Sequence, residues 1–413
     1  MKVSYFGVAA VLGCSGYMAT ATASEQSDAK GFVEGSSLVV KARNVYYNRD
    51  QRQRGATQSY GEEWAQGFQG FFQSGFTTGM VGFGLDAISL TGLRLDTGDG
   101  RTGGGTRLLE QDGSGAKASY SSLGVAVKMR VSNTTVKVGT QTVNVPVMAG
   151  SDSRLLPETY QGVLVTSNEI PKLKLHLGHF TAMKQRNESN HDSARLTDID
   201  FVGGIYSFTP NILLGLYRSD VEDYWTKNYG GLSWNLPLAA TQAVKFDFNI
   251  YKTESQGQAR GGVVDNRIWS LAAAYTVGAH TFAVARQEVH GTGGYTYGVE
   301  GNSTIYLANS IQYSDFNYEG EKSWQARYLV DFKNYDIPGL TFMIRYIKGT
   351  DFTVGTRDDG KAWERDVEVK YVVPTGKAKD LSFRLRNAMY RSSDRGGDIN
   401  EVAFTTEYPI NIF

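Results

Sequence analysis

The stretch "DLSFRLRNAMYR", residues 380–391, alternates between apolar and polar side chains. Successive side chains of a β-strand point to opposite faces, so this alternation predicts a strand. The polar face would place Arg384 and Arg386 next to each other on the same side. The other face would carry four apolar side chains, those of Leu381, Phe383, Leu385 and Met389. The stretch therefore predicts a strand with one oily face and one cationic face.

The same alternation recurs along the chain, in residues 36–47, 123–132, 244–252, 322–332, 339–348, 365–373 and 401–413. A soluble β-sandwich also alternates, but its polar faces should be rich in Lys and Glu. Here the polar faces mix Arg, Asp, Asn, Tyr and Gln, while aromatic residues mark the ends of nearly uncharged apolar faces. Strands of about ten residues with this pattern are typical of a transmembrane antiparallel β-barrel. At about 20 residues per strand and connection, the chain allows roughly 16–20 strands.

The N-terminus has the features of an export signal. Lys2 precedes the apolar run "VSYFGVAAVLG", and Ala21-Thr22-Ala23 forms a cleavage site of small residues. We expect residues 1–23 to be a secretory signal peptide and residues 24–413 to form the barrel. The single cysteine, Cys14, lies in the signal, and no later apolar run reaches the length of a transmembrane helix.

Charge gives no argument for a nucleic acid partner, because Lys and Arg total 42 and Asp and Glu also total 42. A barrel of this width keeps an open lumen, which something must narrow. The best candidate is the insertion at residues 141–163, bracketed by Pro146 and Pro157. Its apolar content favours a loop packed inside the lumen over an external loop.

Catalytic and cofactor motifs are weak. The GxGxxG spacing at Gly98, Gly100 and Gly103 is followed by more Gly and Thr and not by a helix, so it indicates a flexible loop. His176 and His179, three residues apart on a strand, would point to opposite faces and form no metal pair. We expect no enzyme activity and no cofactor.

Basic residues on the lumenal faces carry the chemistry. Arg384 and Arg386 are preceded by Lys370 and Arg345 on the two previous strands, and barrel closure would bring Arg43 of the first strand nearby. Such a row can draw an anion through a pore, and Arg offers a fork that fits a carboxylate. The alternative is that these residues pair with acidic residues across neighbouring strands, namely Asp366, Glu368 or Glu401.

The mature chain resembles the OprD family of outer-membrane, carboxylate-specific channels. The matching stretches are "RNVYYNRD" (43–50), "EEWAQGFQGFFQSGFTTGMVGFGLDA" (62–87), "SRLLPETYQG" (153–162), "GEKSWQARY" (320–328), "PGLTFMIRY" (338–346) and "AKDLSFRLRNAMYR" (378–391). The resemblance implies an 18-stranded monomeric barrel, a third loop that narrows the pore, and a ladder of basic residues leading to the constriction.

The resemblance also implies roles for individual residues. Arg384, Arg386, Lys370 and Arg43 match ladder positions, and Asp152 with Arg154 falls in the constriction-loop motif. Tyr313 and Asp315 match an electronegative patch facing the ladder in the branch that takes basic amino acids. That branch has a further Arg where this sequence has Ala403, and "GKAWERDVEV" (360–369) is more like the branch that takes aromatic carboxylates such as benzoate or vanillate.

These features predict a passive channel for small carboxylates in the outer membrane of a Gram-negative bacterium. Its partners would be those solutes and the surrounding lipid and lipopolysaccharide. We expect a monomer, with a loosely associated trimer as the alternative. The first rival function is a general diffusion porin of the same fold, and the second is an outer-membrane barrel hydrolase.

Overall fold

A computed structural model describes residues 24–53, 55–191, 195–299, 304–393 and 397–413. The predicted signal peptide, residues 1–23, lies outside the described residues. The strands are, in chain order, β1 (Ser37–Gln51), β2 (Tyr60–Gln73), β3 (Val81–Asp96), β4 (Gln111–Asp112), β5 (Gly115–Ala116), β6 (Ser119–Val131), β7 (Thr134–Gln141), β8 (Asn144–Val145), β9 (Met148–Ala149), β10 (Thr159–Ser167), β11 (Leu173–Lys184), β12 (Ile199–Thr209), β13 (Ile212–Val221), β14 (Trp225–Ala239), β15 (Gln242–Ser255), β16 (Asp265–Val277), β17 (His280–Thr292), β18 (Lys322–Asp331), β19 (Leu340–Val354), β20 (Arg357–Val372), β21 (Ser382–Ser392) and β22 (Ile399–Asn411). A 3-10 turn spans Phe332–Tyr335.

Eighteen of these strands form one closed antiparallel sheet. Each pairs with its neighbours along the chain, and β1 closes the barrel by pairing with β22 as well as β2. The remaining strands form two short hairpins, β4–β5 and β8–β9, inside loops. The all-β barrel of about 18 strands is therefore confirmed. Closure leaves no open sheet edge, as a structure within lipid requires.

The two faces of the wall differ as the alternation predicts. On β21, Phe383 and Leu385 are 36% and 47% exposed on the outside, whereas Arg384 and Arg386 point into the lumen. The same outward apolar face continues on β6, where Leu123, Val125 and Val127 are exposed. Lumenal wall positions carry polar and charged side chains such as Glu63, Gln69 and Asp366, whereas the apolar side chains of the outer face are exposed as a lipid-facing surface requires.

The two ends of the barrel also differ. At one end the strands are joined mostly by short turns, such as residues 132–133 and 210–211, and there β1 begins and β22 ends. At the other end the connections include three long loops, residues 97–118, 142–158 and 293–321. Among the described residues, no helix is long and apolar enough to cross a membrane.

The constriction loop, residues 142–158, lies inside the barrel. Leu155 and Leu156 are 0% and 1% exposed, and the Gln69 side chain of β2 donates to the Leu155 carbonyl at 2.8 Å. On the opposite wall, Tyr251 of β15 donates to the Pro146 carbonyl at 3.2 Å. The predicted insertion at residues 141–163 is longer than the loop, because Gln141 belongs to β7 and residues 159–163 belong to β10, which pairs with β7 and β11.

Candidate functional site: a basic lumenal wall facing two inward loops

Arg43 clamps the constriction loop to the barrel wall. Its Nη1 and Nη2 donate to the two carboxylate oxygens of Asp152 at 2.6 and 3.0 Å, and Nη1 also donates to the Arg154 carbonyl at 2.7 Å. Its Nε donates to Glu407 of β22 at 2.6 Å. The Arg43 side chain is only 7% exposed. Most of its donors are therefore committed to holding the loop.

The two loop residues singled out in the sequence have different partners. Asp152 pairs with Arg43 and, at 3.7 Å, with Lys41. The Arg154 guanidinium lies 4.6 Å from the centre of the Tyr47 ring, and its Nε donates to the Thr106 carbonyl at 2.8 Å. Arg154 thus links the constriction loop to the 97–118 loop. Asp152 neutralises the charge of Arg43, the wall residue that holds the constriction loop.

Arg384 and Arg386 on β21 are differently placed. Within the part of the chain that the structure describes, neither side chain has a carboxylate within 4.0 Å, and the Nε of each is buried without a hydrogen-bond partner. Directly across the sheet, Arg384 faces Lys370 on β20 and Thr405 on β22, whereas Arg386 faces Glu368 on β20, with no ion pair between them among the described residues. Like charges opposite each other on a sheet destabilise it, so this arrangement suits an anion arriving from the lumen.

Arg345 fits the alternative in which basic residues pair within the wall. Its Nε donates to Asp366 Oδ2 of β20 at 2.6 Å, and Asp366 is buried. The residue across from Arg345 on β18 is Arg327, which lies on the polar face of the alternating stretch 322–332 and was not among the predicted site residues. Among the described residues Arg327 has no ion pair, and its Nε is buried without a partner. The only signal in the sequence was its lumenal register.

The 293–321 loop faces the lumen from another side. Asp315 accepts hydrogen bonds from Tyr297 at 2.5 Å and Ser310 at 2.6 Å. Burial raises the pKa of Asp315, although these two hydrogen bonds oppose the shift. The ring of Tyr313 lies 4.9 Å from the Arg49 guanidinium. Asp315 and Tyr313 therefore belong to one ordered loop segment near the pore.

Three wall carboxylates anchor the loops. Glu364 of β20 accepts from the backbone N–H groups of Tyr313 and Ser314 at 2.9 and 2.8 Å. Glu401 of β22 accepts from the Gln312 side chain at 3.1 Å. Glu63 of β2 does the same for the 97–118 loop, accepting from Thr102, Gly103, Thr106 and Leu108. Buried acidic residues thus fix the loops that shape the pore.

This arrangement of charged side chains can guide a charged solute electrostatically, and it is not an arrangement that makes or breaks covalent bonds. Among the described residues, no group of three or more His, Cys, Asp or Glu side chains is placed to hold a metal ion. His176 points inward to the Tyr217 hydroxyl, and His179 points outward to Asp200, as their spacing predicts. The described residues thus provide a row of guanidinium groups on the lumenal wall and a buried, hydrogen-bonded carboxylate, Asp315, on the 293–321 loop.

Comparison with known proteins gives a consistent result. A family model described as "outer membrane porin, OprD family" matches residues 30–412. The chain is 42% identical to Porin D of Pseudomonas aeruginosa over 443 aligned residues, covering 100% of this chain and 99% of that protein.

Solved structures agree with the family match. OccK9 (OpdG) of Pseudomonas aeruginosa superposes with a TM-score of 0.88 at 36% identity, covering 93% of this chain and 100% of that one. OpdK of the same organism, crystallised with vanillate, gives a TM-score of 0.84 at 32% identity over 92% of this chain and 100% of its own.

Proposed function

Because this chain belongs to the OprD family of outer membrane porins, and is therefore a channel and not an enzyme, we propose that it admits small carboxylate solutes selectively and passively. The chain forms a β-barrel channel in the outer membrane. We further propose that the lumenal wall selects these solutes and that the monomer is the functional unit.

One observation carries the proposal. Arg384, Arg386 and Arg327 project into the lumen with no carboxylate partner among the described residues, while Arg43 and Arg345 are tied into ion pairs. If the lumenal wall had no role beyond keeping a hydrated surface, its buried charged side chains should be in ion pairs, because an unpaired buried charge is costly. The unpaired guanidinium groups are therefore available to a passing anion.

The mechanism follows from the geometry of the guanidinium group. Arg384 and Arg386, two residues apart on one strand, can each present a planar pair of N–H donors to a carboxylate. Lys370 on the neighbouring strand β20 extends the positive wall, so that an anion moves between sites of similar potential. Arg43 on β1, paired with Asp152 and Glu407, would hold the constriction loop beside this row. Asp315 and Tyr313 would contact the other end of the solute.

Two substrate classes stay open. An aromatic or cyclic monocarboxylate such as benzoate suits a site with cations on one side, and OpdK was crystallised with vanillate. A basic amino acid would place its second, positive group against Asp315. Ala403, facing Arg386 across β21 and β22, leaves the ladder without one rung of the branch that takes basic amino acids.

The proposal is tested by solute uptake into liposomes that contain the purified protein, comparing benzoate, arginine and an uncharged sugar of similar size. We expect one carboxylate to enter much faster than the sugar. Arg384→Gln and Arg386→Gln should each lower the uptake of that carboxylate about tenfold, because a hydrogen bond to a charged group contributes roughly 1.5–3 kcal/mol. Sugar uptake should be nearly unchanged.

A matched control is Arg218→Gln, which removes the same charge from an exposed, outward-facing position on β13. If Arg384→Gln and Arg386→Gln alter all three solutes in proportion, or no more than Arg218→Gln does, the channel is a general diffusion porin and the selective mechanism is wrong.

A further inference from the structure

The outer surface of the barrel carries an unusual group of cations on β18–β21. Towards the short-turn end, the outward positions of these strands are apolar or aromatic, including Tyr328, Phe342, Ile344, Val369 and Phe383. Towards the long-loop end, the same faces change character. We define the outer basic patch by eight residues: Lys322, Trp324, Tyr346, Lys348, Lys361, Trp363, Arg365 and Arg391.

The strand register brings these residues into three adjacent rows. Trp324, Lys348, Trp363 and Arg391 lie opposite one another across the four strands. Lys322 and Lys361 lie one row nearer the loops, on either side of Thr350, and Tyr346 and Arg365 lie one row nearer the apolar belt. With strands about 4.8 Å apart and about 3.4 Å of rise per residue, the patch is roughly 15 Å across.

The positive charge of the patch is mostly uncompensated. Lys322 pairs with Asp351 at 3.3 Å. Among the described residues, Lys348, Lys361, Arg365 and Arg391 have no carboxylate within 4.0 Å. Arg365 donates to Asn387 at 2.9 Å and leaves its Nε buried without a partner.

Some outward-facing cations elsewhere on the barrel are paired, whereas Arg218 and Arg267 have no carboxylate within 4.0 Å among the described residues. Lys252 contacts Glu254 and Asp265, and Arg286 contacts Glu288 at 2.7 Å. Arg101 pairs with Glu62 and Asp96. The outer basic patch therefore differs from the rest of the outer surface because it brings four cations without carboxylate partners into adjacent rows.

The position of the patch identifies its partner. In outer-membrane barrels the short turns face the periplasm and the longer loops face outside, so the patch lies at the outer-leaflet headgroup level. Tryptophan and tyrosine among the cations mark that interface. We propose that the outer basic patch is a binding site for the phosphate groups of lipopolysaccharide in the outer leaflet.

Phosphate recognition explains the residue types. Arg365 and Arg391 carry planar guanidinium groups of the kind that bind phosphate oxygens. Arg391 also donates to the Tyr390 and Ile399 carbonyls and to Asn400, which fixes the group in place and leaves its remaining N–H donors for a phosphate. Lys348 adds a mobile point charge between two tryptophans. Trp324, Tyr346 and Trp363 give the sugar and the upper acyl chains an amphipathic surface. A lipid without phosphate would satisfy the aromatic residues and leave the cations without partners.

The test measures binding of lipid A to the purified full-length barrel by quenching of tryptophan fluorescence. The probes are lipid A with two phosphates and the same lipid with its phosphates removed. We expect the diphosphorylated form to bind more tightly. The triple variant Lys348→Gln, Arg365→Gln, Arg391→Gln should weaken its binding by at least about tenfold, since each basic residue near an anionic headgroup contributes on the order of a fivefold effect.

The matched control is Lys252→Gln, Arg218→Gln, Arg267→Gln, which removes the same charge from outward positions on β13, β15 and β16, away from the patch. Both triple variants should keep the heat-dependent gel mobility of a folded barrel and unchanged sugar uptake. The proposal is overturned if the two triple variants bind diphosphorylated lipid A equally, or if the lipid without phosphate binds as tightly. In the second case the patch serves another partner, such as an acidic protein surface.

Discussion

Glu158 shows how a single buried side chain can make the pore sensitive to pH. It lies at the end of the constriction loop, 1% exposed, and accepts a hydrogen bond from the Ser151 N–H at 2.7 Å. Its Oε1 is buried without a partner. Burial raises the pKa of Glu158 to about 7, and the nearby cations of Arg186, Lys184 and Arg107 oppose the shift without cancelling it.

The sign of the pH effect follows from where the proton is held. The folded loop keeps Glu158 protonated up to about pH 7, whereas a displaced loop releases the proton near its ordinary pKa of 4.5. Between these values the folded position binds more protons, so it loses stability as the pH rises, by on the order of 3 kcal/mol in total.

We therefore expect current fluctuations of single channels in planar bilayers to be rarer at pH 5 than at pH 8. Glu158→Gln should abolish that difference, because the amide stays neutral and still accepts from Ser151. Asp112→Asn, in the exposed β4–β5 hairpin, should retain the difference. Equal fluctuation rates at both pH values in the unmodified channel would show that ionisation of Glu158 does not move the loop.

At the residue scale, the sequence alone distinguishes lumenal from lipid-facing residues. It does not distinguish charged residues that form an ion pair from those that do not. The alternation placed Arg384 and Arg386 on the inner face, where the structure has them. It could not distinguish them from Arg345, which pairs with Asp366, because a partner is set by side-chain geometry across two strands. The ion pair between Asp152 and Arg43 joins residues far apart in the sequence, so no local sequence pattern predicts it.

At the scale of elements, the constriction loop meets β2 at a glycine. A Cβ on Gly67 would lie 2.9 Å from Leu155 Cγ and 3.1 Å from the Leu155 carbonyl oxygen. The wall and the loop can approach this closely only because Gly67 has no side chain. The position of the constriction thus depends on one residue of a strand as well as on the loop.

Gly67→Ala should displace the loop from the wall at a cost of about 1–3 kcal/mol, the usual range for overpacking. Single-channel conductance in planar bilayers should change while the barrel stays folded. Gly70→Ala adds the same methyl group to the same strand, where its nearest contacts would be at 3.7 Å, and should leave conductance unchanged. Equal conductance in both variants would mean that the loop yields without narrowing or widening the pore.

The elements themselves differ in how well the sequence predicts them. Strands such as β19 and β21 follow directly from a period of two, since lipid on one side and water on the other leave no alternative pattern. The 293–321 loop has no such period. Its position depends on hydrogen bonds from Tyr313 and Ser314 to Glu364, which exist only once the barrel has closed.

At the scale of the whole molecule, the barrel closes through a buried ion pair. Arg49 of β1 lies opposite Glu401 of β22 in the register, and its Nη2 and Nε donate to Glu401 Oε2 at 2.8 and 2.9 Å. Glu401 is 0% exposed, and its second oxygen accepts from Gln312. The same carboxylate therefore joins the first strand, the last strand and the 293–321 loop.

Removing Glu401 should destabilise the closed barrel, because Arg49 would remain buried without its partner. We expect Glu401→Ala to lower the free energy of unfolding by roughly 3–5 kcal/mol. The loss is measured as a lower urea midpoint for the folded band on unheated gels. Asp265→Ala, which removes a 66% exposed partner of Lys252, should cost no more than about 1 kcal/mol.

The double variant Arg49→Met, Glu401→Leu tests whether the junction of β1 and β22 depends on the ion pair or on the backbone hydrogen bonds between the two strands. Because it removes both charges, it should regain much of the stability that Glu401→Ala loses, as apolar replacements of buried pairs do. It should not restore the anchor for Gln312, so sugar uptake should still differ from that of the unmodified channel. If Glu401→Ala unfolds at the same urea concentration as Asp265→Ala, the backbone pairing of β1 with β22 closes the barrel alone, and the ion pair serves only to hold the loop.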